Sequence, residues 1–232
     1  MIKIENVMVC GMSRSVNFRR SFNSQDKSDS FLSGNTGRPI TSIDGQRVDF
    51  QTEENVTLGP KDLNRLANLV KSGDSHAKVN RMTWVWLDLT LPRRAWVDFD
   101  TYRIGRKEAI NAEDIEYMSD STMHTIQKRE LTEKDFDLYT CKDAIITVNR
   151  FVREYHRVKS DPYCKDWDLQ ECFLNIKSNL PEGFLQTRTV NINYQALRHI
   201  FLDRENHRQP ELRKFCDWIK TLPYAEPLIY RK

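Results

Sequence analysis

The sequence contains no long apolar run and no leader-like beginning. No segment approaches the roughly 20 consecutive apolar residues that a membrane-spanning helix needs. Residues 1–11 lack the order of charged, apolar and small residues that marks a secretory signal peptide. These absences argue against a membrane partner, and we expect the protein to be cytoplasmic.

The motifs of metal sites and of several common enzyme classes are also missing. The five cysteines are scattered, with no Cys-x-x-Cys pair, so the sequence indicates neither a disulfide framework nor a zinc site. The five histidines include no His-x-x-x-His pair, and we therefore expect no metal. A glycine-rich phosphate loop, a Gly-x-Ser-x-Gly elbow and the kinase motifs are absent, which removes the commonest alternatives.

Neither sign of charge is in large excess. The chain has 36 lysines and arginines against 33 aspartates and glutamates, and its formal net charge is +3. This balance gives little electrostatic basis for binding nucleic acid, although a small anionic ligand requires only local cations.

Length and composition predict a single domain over residues 1–232. With 232 residues, 39% of them hydrophobic, the chain can bury a full core, which we assign to residues 56–222. Residues 11–55 are rich in Ser, Asn, Gly, Asp and Arg and show no apolar period. That composition predicts an irregular arm, acting either as a lid over an anionic ligand or as a solvated loop.

Hydrophobic periodicity predicts the helices and strands of the core. Alternating apolar residues predict strands over 2–9 and 83–91. Apolar residues three and four apart predict helices over 60–72, 92–103, 132–157 and 166–178.

The most informative stretch covers residues 189–213, where an apolar stripe alternates with Asn, His and Arg. The stripe predicts a core helix with a second helix beginning at Pro210, and polar Asn193 and Arg204 lie at its margins. The apolar positions of the two helices are Tyr194, Leu197, Ile200 and Phe201, followed by Leu212, Phe215, Ile219 and Leu222. We interpret this stretch as core that also carries a site.

This stretch resembles the C-terminal part of the flavin-dependent thymidylate synthases. Their pattern is roughly Asn-x-Arg-x-Leu, a helix ending in Arg, and then His-x-Gln-x-Glu. The matching residues are Asn193, Leu197, Arg204, His207, Gln209 and Glu211, while Gln195 replaces the first Arg. The resemblance implies that Arg204 holds the pyrimidine of dUMP and that Asn193 and His207 belong to the cofactor site. Position alone favours a solvated cation at a helix C-terminus, whereas the flanking matches favour the ligand.

A second block, from His76 to Arg103, is similar to the flavin-binding part of the same family. There a Gly and a His precede a strand, then Pro, then a helix that ends in Arg-His-Arg and grips the flavin. The triplet falls on Thr101, Tyr102 and Arg103, so the resemblance keeps His76 and Arg103 as cofactor-binding residues and loses two basic partners. Asp98 stands where the family has a Gln that faces the nucleotide.

The family's phosphate-binding serine has a weaker counterpart. Ser121 is the nearest match, displaced by a polar insert that contains Arg106 and Lys107. Met123 and His124 then occupy the places of the family's Arg and Tyr, so one fixed cation is missing unless the insert supplies it. Serine-rich segments of this kind also form plain turns.

The resemblance implies an α/β (α+β) fold, with a mostly antiparallel sheet flanked by helices, and a homotetramer. It implies methylation of dUMP, or of a related pyrimidine nucleotide, with methylenetetrahydrofolate, FAD and NADPH, and weak FAD binding because of the lost basic residues. The alternatives are a non-catalytic nucleotide-binding or regulatory protein, as a mobile or phage-like genome could carry, and an enzyme that modifies another pyrimidine. The aromatic residues Trp84, Trp86, Trp96 and Phe99 favour either an oligomer interface or a large core.

Overall fold

The computed structural model of the chain describes residues 2–12, 29–33, 40–43, 46–48, 55–103, 115–119 and 122–231. These residues form helices and an antiparallel sheet, which confirms the predicted fold class. The predicted insert cations Arg106 and Lys107 and the predicted phosphate residue Ser121 lie outside the described residues.

The strands form one sheet of four and two sheets of two. The strands are β1 (Lys3–Cys10), β2 (Phe31–Ser33), β3 (Ile40–Ile43), β4 (Gln46–Val48), β5 (Asn55–Thr57), β6 (Trp84–Pro92), β7 (Ile115–Ser119) and β8 (Leu185–Asn193). The large sheet has the order β1-β6-β8-β7, while β2 pairs antiparallel with β5 and β3 with β4. The predicted strands at 2–9 and 83–91 are confirmed, and parts of the predicted irregular arm form strands.

Eight α-helices are assigned within the described residues. They are α1 (Pro60–Lys71), α2 (Lys78–Met82), α3 (Arg93–Arg103), α4 (Thr122–Thr125), α5 (Lys142–Lys159), α6 (Asp166–Ser178), α7 (Tyr194–Arg204) and α8 (Pro210–Ile219). A 3-10 turn covers Glu133–Asp135, and a π-helical turn covers Glu226–Tyr230. The predicted helices at 60–72, 92–103 and 166–178 are confirmed to within one residue at each end.

The alternation in β6 arises because one face of the strand is buried. Val85, Leu87 and Leu89 are almost fully buried, whereas Trp86 between them is 40% exposed. Burying every second side chain fixes the register of the strand, because a slip of one residue would expose the whole apolar set.

The predicted helix over 132–157 was wrong in its first ten residues. Its regular part begins at Lys142, and Leu138, one of the apolar residues whose spacing predicted the buried face of this helix, is 83% exposed. The reason is the buried carboxylate of Asp137, which accepts hydrogen bonds from Arg94 Nη2 at 2.6 Å and from the hydroxyl of Thr140 at 2.9 Å. The Asp137 backbone N–H also donates to the carbonyl of Gly183 at 2.9 Å, so this backbone is committed to distant partners.

The stretch 189–213 is also divided differently from the expected helix. Residues up to Asn193 belong to β8, and the helix begins at Tyr194. The backbone N–H of Tyr194 donates to the Thr83 carbonyl at 2.9 Å, so β-type pairing extends to the first helical residue. The apolar positions predicted for the two helices are all buried, which confirms that part of the prediction.

The described residues divide into two compact units. The first comprises Met1–Glu5, Asp88–Thr101 and Tyr117–Thr189, with a core in which α5 packs against α6. That core is built from Ile126, Leu131, Phe136, Ile145, Val148, Val152, Ile176 and Leu180. The second comprises Asn6–Leu87, Tyr102–Glu116 and Val190–Lys232, where α7 packs against α2, α8 and the π-helical turn. The assignment of residues 1–232 to one domain stays a prediction.

Candidate functional site

Helix α7 of the second unit is positioned by the residue that precedes it. Asn193 is fully buried and caps the helix, since its side-chain oxygen accepts a hydrogen bond from the Ala196 N–H at 2.9 Å. Arg204 is the last residue of the same helix. Eleven residues separate the two along α7, a rise of about 16 Å at 1.5 Å per residue. Asn193 and Arg204 therefore lie at opposite ends of α7.

Arg204 is half-buried, and its guanidinium makes a cation–π contact with an aromatic ring. Its guanidinium carbon lies 5.3 Å from the centroid of the Tyr102 ring. Its Nε is buried and has no hydrogen-bond acceptor among the described residues. The ring's hydroxyl donates to Asp203 Oδ2 over a long 3.4 Å. A stacked guanidinium with an unused donor is suited to a planar ligand that offers an oxygen acceptor.

The His-x-Gln-x-Glu residues follow Arg204 in the same unit. The His207 ring accepts a hydrogen bond at Nδ1 from the Gln209 backbone N–H at 3.3 Å, and the His207 carbonyl accepts one from Arg213. Glu211 is buried in the first turn of α8, where a carboxylate is favoured by the helix dipole. These contacts fix the turn between α7 and α8, and the cofactor role of His207 stays a prediction.

The other predicted site residues are dispersed. His76 is exposed in the turn that follows α1, and its backbone N–H donates to the Gly73 carbonyl at 3.0 Å. Arg103 ends α3, and its side chain lies outside the described part of the chain. Asp98 is half-buried in α3 of the first unit. The proposed binding roles of these three residues stay predictions.

The residues at two flavin-gripping positions do not fit a flavin phosphate. The hydroxyl of Thr101 donates to the Asp98 carbonyl of its own helix at 2.7 Å. Tyr102 lies beneath the Arg204 guanidinium, with its hydroxyl directed to a carboxylate. Neither side chain carries a positive charge. Of the three positions Thr101, Tyr102 and Arg103, two therefore cannot form a charge-assisted hydrogen bond to a phosphate.

Sequence reasoning missed a buried polar cluster formed by α7 and the turn after α1. His199 Nε2 lies 3.0 Å from Asp74 Oδ2 and 3.1 Å from Gln195 Nε2. Partial burial opposes ionisation of Asp74, but hydrogen bonds from Gln195 and His199 outweigh it, and the pKa of Asp74 falls below its usual value. Asp74 and Gln195 meet only through tertiary packing, because 121 residues separate them. The replacement of the family's Arg by Gln195 was the one available signal.

A second cluster that sequence reasoning missed lies in the first unit. The Arg188 guanidinium lies over two neighbouring aromatic rings, 4.1 Å from the Trp96 centroid and 4.7 Å from that of Tyr117. It also donates to Asp100 Oδ1 at 2.8 Å, and the Tyr117 hydroxyl donates to the same oxygen. The alternation of β8 places Arg188 on the face occupied by Gln186, whose side-chain oxygen accepts from Arg188 at 3.2 Å. The cluster thereby pairs its cation internally.

No metal-binding group emerges from these clusters. Among the described residues, no three His, Cys, Asp or Glu side chains are grouped so that they could hold a metal ion. Helices long and apolar enough to cross a membrane are likewise absent from the described residues.

Comparison with known proteins identifies similar structures. Neither a family model nor a curated protein matches the sequence. Thymidylate synthase X from Helicobacter pylori, in a crystal structure with FAD and dUMP, is 14% identical at a TM-score of 0.50, covering 74% of this chain and 83% of that one. A second structure of this flavin-dependent synthase with FAD and dUMP has a TM-score of 0.51, 13% identity and the same coverage. At this level of identity, the likeness establishes a shared fold.

Proposed function

We propose that this protein binds a pyrimidine nucleotide, with Arg204 contacting the base. The observation that carries the proposal is the buried Nε of Arg204, which has no acceptor in the described part of the chain while its guanidinium stacks on Tyr102. Buried charged groups are normally paired, and a uracil or thymine carbonyl can accept a hydrogen bond from the half-buried Arg204 guanidinium.

Two independent observations support a pyrimidine ligand. The similar synthases carry dUMP in their solved structures. The order Asn193, Leu197, Arg204, His207 agrees with the family's substrate helix, and Arg204 ends that helix here as well. The simpler alternative is an arginine that stabilises the negative end of the α7 dipole and contacts no ligand.

Transfer of a one-carbon unit to dUMP is the second candidate. The shared fold favours it, and the chemistry would be supplied by FAD, NADPH and methylenetetrahydrofolate. Thr101 and Tyr102 oppose it, because the positive charges that hold flavin in the family are lost at both positions. Nucleotide binding without flavin chemistry is therefore the function that the site supports best.

A nucleotide panel tests the proposal. Calorimetric titration of the purified protein with dUMP, dTMP and dUTP is expected to give saturable binding, and dAMP is the control because its base lacks the carbonyl acceptors. Absence of binding to all three pyrimidines, or equal binding of dAMP, would refute the proposal. A flavin absorption spectrum of the same sample separates the two candidate functions.

A further inference from the structure

A lysine of the first unit is held beside a hydroxyl group without a carboxylate partner. Lys177, in the last turn of α6, donates from Nζ to Thr122 Oγ1 at 2.6 Å. Its side chain is half-buried, and no carboxylate pairs with it among the described residues. Neutral hydroxyl groups leave the charge of an ammonium uncompensated.

A second cation lies near this lysine, because Arg93 contacts the carbonyl of Leu180, whose own N–H donates to the Lys177 carbonyl at 3.4 Å. Burial first, and then the positive charge of Arg93, lower the pKa of Lys177 below its usual value. Arg93, the first residue of α3, donates from Nη1 to the Leu180 carbonyl at 3.1 Å. Its Nη2 is 3.3 Å from Glu182, whose side chain is 57% exposed. The largely exposed carboxylate of Glu182 is therefore the one acidic partner described for the two cations Lys177 and Arg93.

The hydrogen-bond directions leave several donors available. Lys177 has three N–H groups and uses one on Thr122. Because Thr122 accepts that bond, its own hydroxyl hydrogen remains free to point to an oxyanion. A lysine, the hydroxyl that it contacts and a nearby arginine match an anion with several oxygens better than a carboxylate, which offers two.

We infer that Lys177, Thr122 and Arg93 form a binding site for a phosphate group. The family resemblance suggested Ser121 as the phosphate-binding residue, and it gave no role to Lys177. The assignment does not depend on Arg204, because it concerns the first unit alone and is tested with inorganic phosphate. The phosphate could be free or part of a nucleotide, and the experiment distinguishes these sources.

Limited acetylation of lysines, quantified by mass spectrometry, reads out the site directly. Phosphate should slow acetylation of Lys177 severalfold relative to chloride at the same ionic strength, because a bound anion favours the unreactive ammonium form. Lys159, exposed at the end of α5, serves as the internal control and should be unaffected. Stronger protection by dUMP than by phosphate or deoxyuridine would assign the site to a nucleotide phosphate, and equal protection by dUMP and phosphate to the free anion.

Calorimetry with inorganic phosphate on four variants completes the test. Lys177→Met and Thr122→Val should weaken binding, the former by about tenfold or more, while Lys177→Arg and the control Lys159→Met should bind within a few-fold of the unmodified protein. Thermal unfolding checks that each variant is folded. If Lys177→Met does not fold, Thr122→Val still tests the site. Unchanged Lys177 acetylation in phosphate, or wild-type binding by both Lys177→Met and Thr122→Val, would overturn the inference. Failure of dUMP binding at Arg204 would leave it standing.

Discussion

At the scale of single residues, the sequence indicates which residues are candidates for a site but not which residues contact them. Asn193 and Arg204 were indicated by the family resemblance together with their spacing along one helix, and their binding roles stay predictions. The stacking of Arg204 on Tyr102 was not predictable, since the two are 102 positions apart and meet only in the folded chain. The same limit applies to Lys177 and Thr122, which are 55 residues apart.

Asn193 provides a prediction at this scale, because its observed contact is a helix cap. Asn193→Ala should lower the free energy of unfolding by about 1–2 kcal/mol, since the Ala196 N–H loses its acceptor. Asn193→Ser, which keeps a capping oxygen, should recover most of this loss. Urea unfolding of the three proteins measures it. Equal stability of Asn193→Ala and wild type would show that the cap contributes little.

At the scale of elements, the strongly periodic segments were predicted correctly. The segment before α5, where the hydrogen bonds of Asp137 fix the backbone, was predicted wrongly. Strand β6 and helices α1 and α6 follow their own apolar pattern. The segment before α5 instead depends on Arg94 and on Gly183, where an added Cβ would collide with the Thr140 hydroxyl and the Asp137 carboxylate. Only the first turn of helix α1 adds a distant contact, since Asp29 accepts the N–H groups of Lys61 and Asp62 from 32 and 33 residues away.

The 3-10 turn before α5 gives a prediction about pH. Hydrogen bonding by Arg129 lowers the pKa of Asp135 below its usual value, partial burial opposes it, and the Thr132 backbone and hydroxyl lower it further. Because the pKa of Asp135 is lower in the folded protein than in the unfolded chain, ionised Asp135 stabilises the fold at pH values above its unfolded pKa of about 3.9. This contribution to stability is lost as the pH falls through the folded-state pKa.

Asp135→Asn should therefore cost about 1 kcal/mol of unfolding free energy near neutral pH. The difference from wild type should shrink as the pH falls below about 4. Chemical denaturation at several pH values measures it. Glu133→Gln is the control, because Glu133 and its partner Lys142 are both exposed. A difference that persists unchanged at low pH would contradict this origin.

At the scale of the whole molecule, the fold was predictable because a few spaced motifs and a strand pattern suffice to indicate it. The shared fold with thymidylate synthase X extends over 74% of the chain, whereas sequence comparison with families detects no match. Two chains with 14% identical residues can thus share a fold.

Cofactor retention is the first prediction at this scale. FAD should bind weakly and be removed by dialysis, because by the family resemblance Thr101 and Tyr102 stand where two basic residues would hold the flavin. Absorption spectra before and after dialysis against buffer check this. Stoichiometric FAD that survives gel filtration would contradict it and would favour the catalytic candidate.

The second prediction at this scale concerns the oligomeric state, and the structure leaves fewer exposed aromatic residues to support it than the sequence suggested. Trp96 and Phe99 are buried within the first unit, with ring centroids 5.3 Å apart, so these two aromatics fill the core. Trp86, 40% exposed, remains available to an interface. We expect a homo-oligomer, and a tetramer by the family resemblance, in analytical ultracentrifugation. A clean monomer at micromolar concentration would rule the prediction out.

The central claim is that Arg204 contacts the base of a bound pyrimidine nucleotide. Calorimetric titration of dUMP should show that Arg204→Ala loses about 1.5–3 kcal/mol of binding free energy, at least about tenfold in Kd, because a charge-assisted contact to the base is removed. Arg208→Ala, an exposed arginine four residues on, is the matched control and should bind as wild type does. Equal affinity of wild type and Arg204→Ala for dUMP would contradict the account and leave Arg204 as a cation at a helix end.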